Sequence, residues 1–166
     1  MNRFLRSALF PVVVITLIVL PSMARLRRLD HLLGEPEGLS LLRQVPLFSP
    51  LEPKSLELIA QQLVRKEVAA GEVVIREGDP GDLFYIVESG RCTASFQGQV
   101  LSSQGPGEPF GEIALLRDVP RTATVVADEA TVLLTLEREL FLSAVTGDSE
   151  VAGRADDLIA RRIPTY

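Results

Sequence analysis

A single cysteine, Cys92, permits no internal disulfide in these 166 residues. It falls in a predicted strand and reads as a small core or surface residue rather than a redox centre. Histidine is equally scarce: His31 stands alone in the polar stretch Asp30–Gly38, is assigned no role and cannot serve a buried nucleophile. No serine occupies a Gly-x-Ser-x-Gly elbow, and no kinase glycine loop or catalytic-aspartate motif is present, so no enzyme is expected. Gly105-x-Gly107-x-x-Phe110-Gly111 is no dinucleotide fingerprint, because its third glycine comes one place late and no parallel βαβ unit surrounds it. Positive charge is also missing where nucleic acid would need it. The net charge of −5 divides into +4 over residues 1–30 and −9 over residues 31–166. Thr146 to Tyr166 are too few residues for a helix-turn-helix module, so no nucleic-acid partner is expected. No metal ligand set is evident.

What is present reads as one globular domain with an appendage, at 46% apolar and 23% charged residues. Residues 1–29 form a hydrophobic segment with basic flanks, 30–38 a linker broken by Gly34, Pro36 and Gly38, 39–162 the domain, and 163–166 a tail. After a Pro-Leu-Phe turn at Pro46–Phe48, Leu56, Ile59, Ala60 and Leu63 share one face of a predicted helix. From Val64 the period changes. Val64–Val68, Val73–Ile75, Leu83–Val87, Cys92–Phe96, Val100–Leu101 and Ala130–Leu136 are short β-type runs. Dense turn signals at Glu77–Asp82, Glu88–Gly90 and Gly98 separate them. Short strands at intervals of roughly ten residues predict a mainly β fold, an antiparallel β-roll or jelly roll with flanking α-helices. Glu137–Val145 and Asp148–Arg162 are two predicted C-terminal helices, the second stopped by Pro164.

The chemistry concentrates in residues 110–125. Gly111 lets the backbone approach a ligand or take a φ that larger residues resist, and the helix-permissive Glu112-Ile113-Ala114-Leu115-Leu116 follows. A helix starting there presents free N–H groups with the macrodipole behind them, an arrangement that suits a phosphate. Pro120 ends that helix, Arg121 supplies a positive fork for the same anion, and Thr122–Val126 reads as a strand leaving the site. Glu112 beside a phosphate needs a reason, and a sugar hydroxyl that donates to the carboxylate provides one. A ribose whose phosphate lies close to its free 2′-hydroxyl, as in a 3′,5′-cyclic nucleotide, satisfies both groups.

Phe-Gly-Glu-Ile-Ala-Leu-Leu, a short spacer, then Pro-Arg-Thr-Ala-Thr-Val resembles the phosphate-binding cassette of cyclic-nucleotide-binding domains. This is the module of cyclic-nucleotide-dependent kinases, gated channels and catabolite activators. Gly78-Asp79-x-Gly81-Asp82-x-Phe84-Tyr85-Ile86-Val87-x-x-Gly90 resembles the family's β-roll, so the resemblance runs from about Leu39 to Arg162. It implies a regulatory sensor of cAMP or cGMP, with Phe110, Gly111, Glu112, Ile113, Ala114, Arg121, Thr122 and Ala123 at the ligand. It also implies C-terminal helices that act as a lid. A nucleotide-silent structural domain of the same fold is the alternative. Thr122 resembles the cGMP-selective pattern of the kinases, a rule that bacterial members need not follow, so the base stays open with a lean to cAMP. The residue that caps the base is also open among Leu158, Ile159, Arg161, Arg162 and Tyr166, the last able to stack on a purine.

Residues 8–24 carry no charge over seventeen positions and lie between Arg3 and Arg6 on one side and Arg25, Arg27 and Arg28 on the other. Two readings fit: a marginal membrane span, or a secretory signal cleaved after Ser22-Met23-Ala24. The basic cluster and the resemblance to an intracellular sensor favour a membrane partner with the domain in the cytoplasm, against a soluble cytoplasmic alternative. The layout resembles the tail of bacterial major-facilitator-type transporters fused to such a domain, which implies a transporter or effector partner.

Overall fold

The computed structural model describes Pro36 and residues 38–162; the apolar segment, most of the linker, and Tyr166 with the rest of the tail lie outside the described residues. Two antiparallel four-stranded sheets form the body. One is ordered β1 (Val64–Val68), β8 (Thr131–Glu137), β3 (Leu83–Ser89), β6 (Pro109–Phe110), and the other β2 (Val73–Ile75), β7 (Thr124–Ala127), β4 (Cys92–Phe96), β5 (Gln99–Gln104). This is the antiparallel β-roll with flanking helices that the turn spacing implied.

The helical flank comprises α1 (Leu39–Leu42), a 3-10 turn at Pro46–Phe48, α2 (Pro53–Ala60), α4 (Arg138–Thr146) and α5 (Ser149–Arg162). The short α3 (Glu112–Arg117) stands apart, inserted between β6 and β7. Among the described residues no helix is long and apolar enough to cross a membrane.

The run Leu-Phe-Tyr-Ile-Val of β3 is apolar throughout because both of its faces are covered. Phe84 and Ile86 join Leu134 and Leu136 of β8 in packing against the helices. Tyr85 and Val87 join Leu133 of β8 inside the roll, with Val68, Ile75, Cys92, Phe110, Val125 and Ala127. On the helical side Phe84 and Phe141 stack at 4.5 Å, and the Phe48 ring meets the Phe84 ring edge-on at 5.7 Å. Cys92 is buried among the roll's apolar residues, so of core and surface it takes the core.

Two boundaries differ from expectation. Thr122 and Ala123 precede β7, which begins at Thr124, because the backbone of Arg121 is tied to the preceding turn instead of to a sheet. The strand expected at Val100–Leu101 is longer: β5 continues to Gln104, and Pro109–Phe110 pair with Tyr85 and Ile86 as a further strand, β6. β6 is an edge strand, where a proline costs no ladder bond. The turn between β5 and β6 is pinned to β3, since Gly107 N–H donates to Val87 O at 2.8 Å and Val87 N–H donates to Glu108 O at 3.1 Å.

Candidate functional site

Phe110, Gly111, Glu112, Ile113, Ala114, Arg121, Thr122 and Ala123 all line one cavity of about 390 Å³. That is a size suited to small ligands. Its remaining wall is Ile75, Ala94, Phe96, Leu101, Ser102, Gln104 and Val125 from the second sheet and Arg161 and Arg162 from the end of α5.

Gly111 is the pivot. Its φ of +85° lies in the left-handed region, and a Cβ there would stand 2.8 Å from Arg121 Nη1 and 3.2 Å from the Tyr85 ring. The chain therefore turns into α3 at a place where only glycine fits, and Glu112 opens the helix with its carboxylate 1% exposed. Ala114 and Leu115 are the other buried residues of α3, which stops at Asp118 in a left-handed conformation.

Arg121 is 4% exposed and is held by three groups. Nη1 donates to Gly111 O at 2.8 Å, and Nη2 donates to Leu83 O at 2.7 Å and to Asp82 Oδ1 at 3.2 Å. The guanidinium also lies 5.7 Å from the centre of the Tyr85 ring, which itself stacks on Phe110 at 4.9 Å. The Glu77–Asp82 turn clasps the backbone of the same residue: Gly78 N–H donates to Arg121 O at 2.9 Å, and Arg121 N–H donates to Asp79 O at 2.8 Å. A planar fork that meets two carbonyls and a carboxylate at once has a fixed orientation, which a lysine could not reproduce. Burial pushes the Tyr85 phenol above its ordinary pKa, with Arg121 opposing the shift and Asp82 adding to it.

Glu112 meets a cation of its own. Arg162 Nη1 donates to both of its carboxylate oxygens, at 2.9 and 3.0 Å, and Nη2 donates to Pro109 O at 2.9 Å. Val151, Ala155 and Ile159 anchor α5 through its buried stripe, which brings its last turn over the cavity. Of the residues considered for a base cap, Arg161 and Arg162 reach the cavity, Ile159 is buried and Leu158 lines a neighbouring groove. Three groups escaped sequence reasoning. Asp82 and the Leu83 carbonyl sit inside what reads only as a turn and a strand, and Gln104 sits inside what reads as loop. Among the described residues no three His, Cys, Asp or Glu side chains gather as a metal site.

Residues 65–148 match the model of the cyclic nucleotide-binding domain. This chain belongs to that family. A relative from Yarrowia lipolytica named as a cAMP-dependent protein kinase regulatory subunit is 44% identical over 95 residues, covering 57% of this chain and 25% of the relative. The regulatory domain of Toxoplasma gondii PKA, solved with cAMP, is 29% identical with a TM-score of 0.61, over 74% of this chain and 47% of that one. The catabolite activator protein of Thermus thermophilus is 36% identical with a TM-score of 0.61, over 70% of this chain and 57% of that one. The chain thus spans about a quarter of the length of the fungal relative. The cyclic nucleotide-binding domain is a regulatory, non-catalytic module, and here its charged cavity groups belong to α3, the loop between α3 and β7, and the end of α5.

Proposed function

We propose that this domain binds a 3′,5′-cyclic nucleotide, cAMP foremost, and acts as a regulatory sensor. The observation that carries this reading is the pairing of two buried, oppositely charged groups in one apolar-walled cavity, Arg121 at 4% and Glu112 at 1% exposure. Arg121 and the first amides of α3 meet the cyclic phosphate, and Glu112 accepts from the ribose 2′-hydroxyl. Like charges would repel if the ligand were a bare phosphate, so the carboxylate selects an anion that also carries a hydroxyl. Because Arg162 holds Glu112, a ligand that engages Glu112 acts directly on the last turn of α5. Occupancy is coupled to that helix to the extent that the two positions of α5 differ in affinity for ligand.

A nucleotide-silent domain is the second reading, favoured by one fact: Glu112 and Arg121 already have protein partners. Thermal unfolding of the full chain with cAMP, cGMP and 5′-AMP separates the two. The sensor reading expects cAMP to raise Tm in a concentration-dependent way, cGMP to do so less, 5′-AMP scarcely at all, and Arg121→Ala and Glu112→Ala to abolish most of the shift. No shift with either cyclic nucleotide at millimolar concentration establishes the silent domain. Residues 8–24 are proposed to attach the domain to a membrane, with the domain in the cytoplasm and a transporter or a kinase as the effector that receives its signal. Sedimentation of the full chain with membranes, uncleaved at Ala24, supports attachment, and recovery cleaved at that position replaces it with a secretory signal.

A further inference from the structure

Gln104 ends β5 opposite Cys92 in the β4–β5 register, lines the cavity and is 3% exposed. Its Nε2 donates to Ser102 Oγ at 2.6 Å, while Oε1 has no partner. Among the described residues it is the one buried side-chain polar atom left so. Turning the amide end for end does not fill the vacancy. The Ser102 hydroxyl would then donate to Oε1, and Nε2 would be the unpaired end. A carboxamide buried in this way is costly to the folded chain, and an apolar residue of similar length would remove the cost. The cost is recovered when a ligand supplies the missing partner.

The surroundings narrow that partner. Apart from the motif residues and the two arginines of α5, the wall consists of apolar side chains with Ser102 and Gln104 as its polar members. Arg121 and Glu112 already account for phosphate and ribose in the reading given above, on which this inference rests. What remains of the ligand is its base. We infer that Gln104 reads that base: its carboxamide oxygen accepts a hydrogen bond from a base N–H while its Nε2 donates to Ser102 Oγ. The exocyclic amine of adenine has the donor this acceptor lacks.

The test is a calorimetric titration of the full chain with cAMP and with purine riboside 3′,5′-cyclic monophosphate, which lacks only that amine. Wild type is compared with Gln104→Met, which keeps the length, and with Gln104→Leu. The inference expects wild type to prefer cAMP by about tenfold, the scale of one buried hydrogen bond, and both variants to bind the two nucleotides alike. Both variants should also unfold at or above the wild-type temperature. Equal binding of the two nucleotides by wild type, or a preference that survives in the variants, overturns the role of Gln104 and leaves cyclic-nucleotide binding intact. Failure of wild type to bind either nucleotide is a distinct result, and it overturns both.

Discussion

The two faces of β3 are both buried, but for opposite purposes. Toward the helices, Phe84 and Ile86 meet an apolar layer in which the rings of Phe48, Phe84 and Phe141 interlock. Toward the roll, Tyr85 and Val87 face an interior that ends in a cavity and in the buried polar groups Gln104, Glu112 and Arg121. A strand period of two thus lets neighbouring residues serve different ends. The helical face follows the rules of area and packing. The roll interior gives up packing to hold charges that a ligand can use.

The contrast can be broken most forcefully from the helical side. Phe84→Ala should cost about 3–5 kcal/mol of stability, as expected for a fully buried aromatic truncated in a tight core. Measured below its unfolding transition, the variant should retain nucleotide affinity; a denaturant titration paired with a binding assay checks both. On the site side, Arg162→Ala leaves the Glu112 carboxylate buried without its cation and should cost about 1–3 kcal/mol. Adding Glu112→Gln should return part of that loss, because the uncompensated charge is gone, and equilibrium unfolding of the double-variant cycle measures the recovery.

Gly111→Ala is a smaller change with a local effect. A left-handed φ and a Cβ at 2.8 Å from Arg121 Nη1 should cost about 1–2 kcal/mol and shift the guanidinium, so affinity should fall by more than stability alone explains. At neutral pH the smallest effect lies at Cys92. Burial, with Asp128 adding to it, pushes its thiol from 9.0 up to about 11. The unfolded chain therefore releases this proton first as pH rises. The stability at stake is intact below about pH 9 and is lost progressively toward pH 11. Cys92→Ala should flatten that slope in pH-dependent unfolding, and thiol labelling of wild type at neutral pH should wait for unfolding.

How much of this was legible depended on whether the signal was local. Gly111, Glu112, Pro120 and Arg121 fall within eleven residues and carry chemistry that their order shows, and the family resemblance extends them to the eight motif residues of the cavity. The partners of Arg121 were not, because a main-chain carbonyl such as that of Leu83 leaves no mark in a sequence. Gln104 follows two serines and precedes Gly105-Pro106-Gly107, so it reads as loop. Only its register against Cys92 turns it inward. A proline such as Pro109 disfavours a strand in the sequence, and β6 accommodates it because it lies at a sheet edge. Arg162 was one of five candidates for the cap, because fifty residues separate it from Glu112 and helix phase alone does not say which last-turn side chain reaches the cavity.

The central claim is that Arg121 is fixed as a fork for a cyclic phosphate, and Arg121→Lys tests it most directly because it keeps the charge and removes the fork. Calorimetric titration of the full chain with cAMP should show saturable binding of one nucleotide in wild type. In Arg121→Lys the affinity should fall about tenfold or more, the scale of a lost charge-assisted bond. Equal affinity in the two proteins, or no binding in wild type, would contradict it.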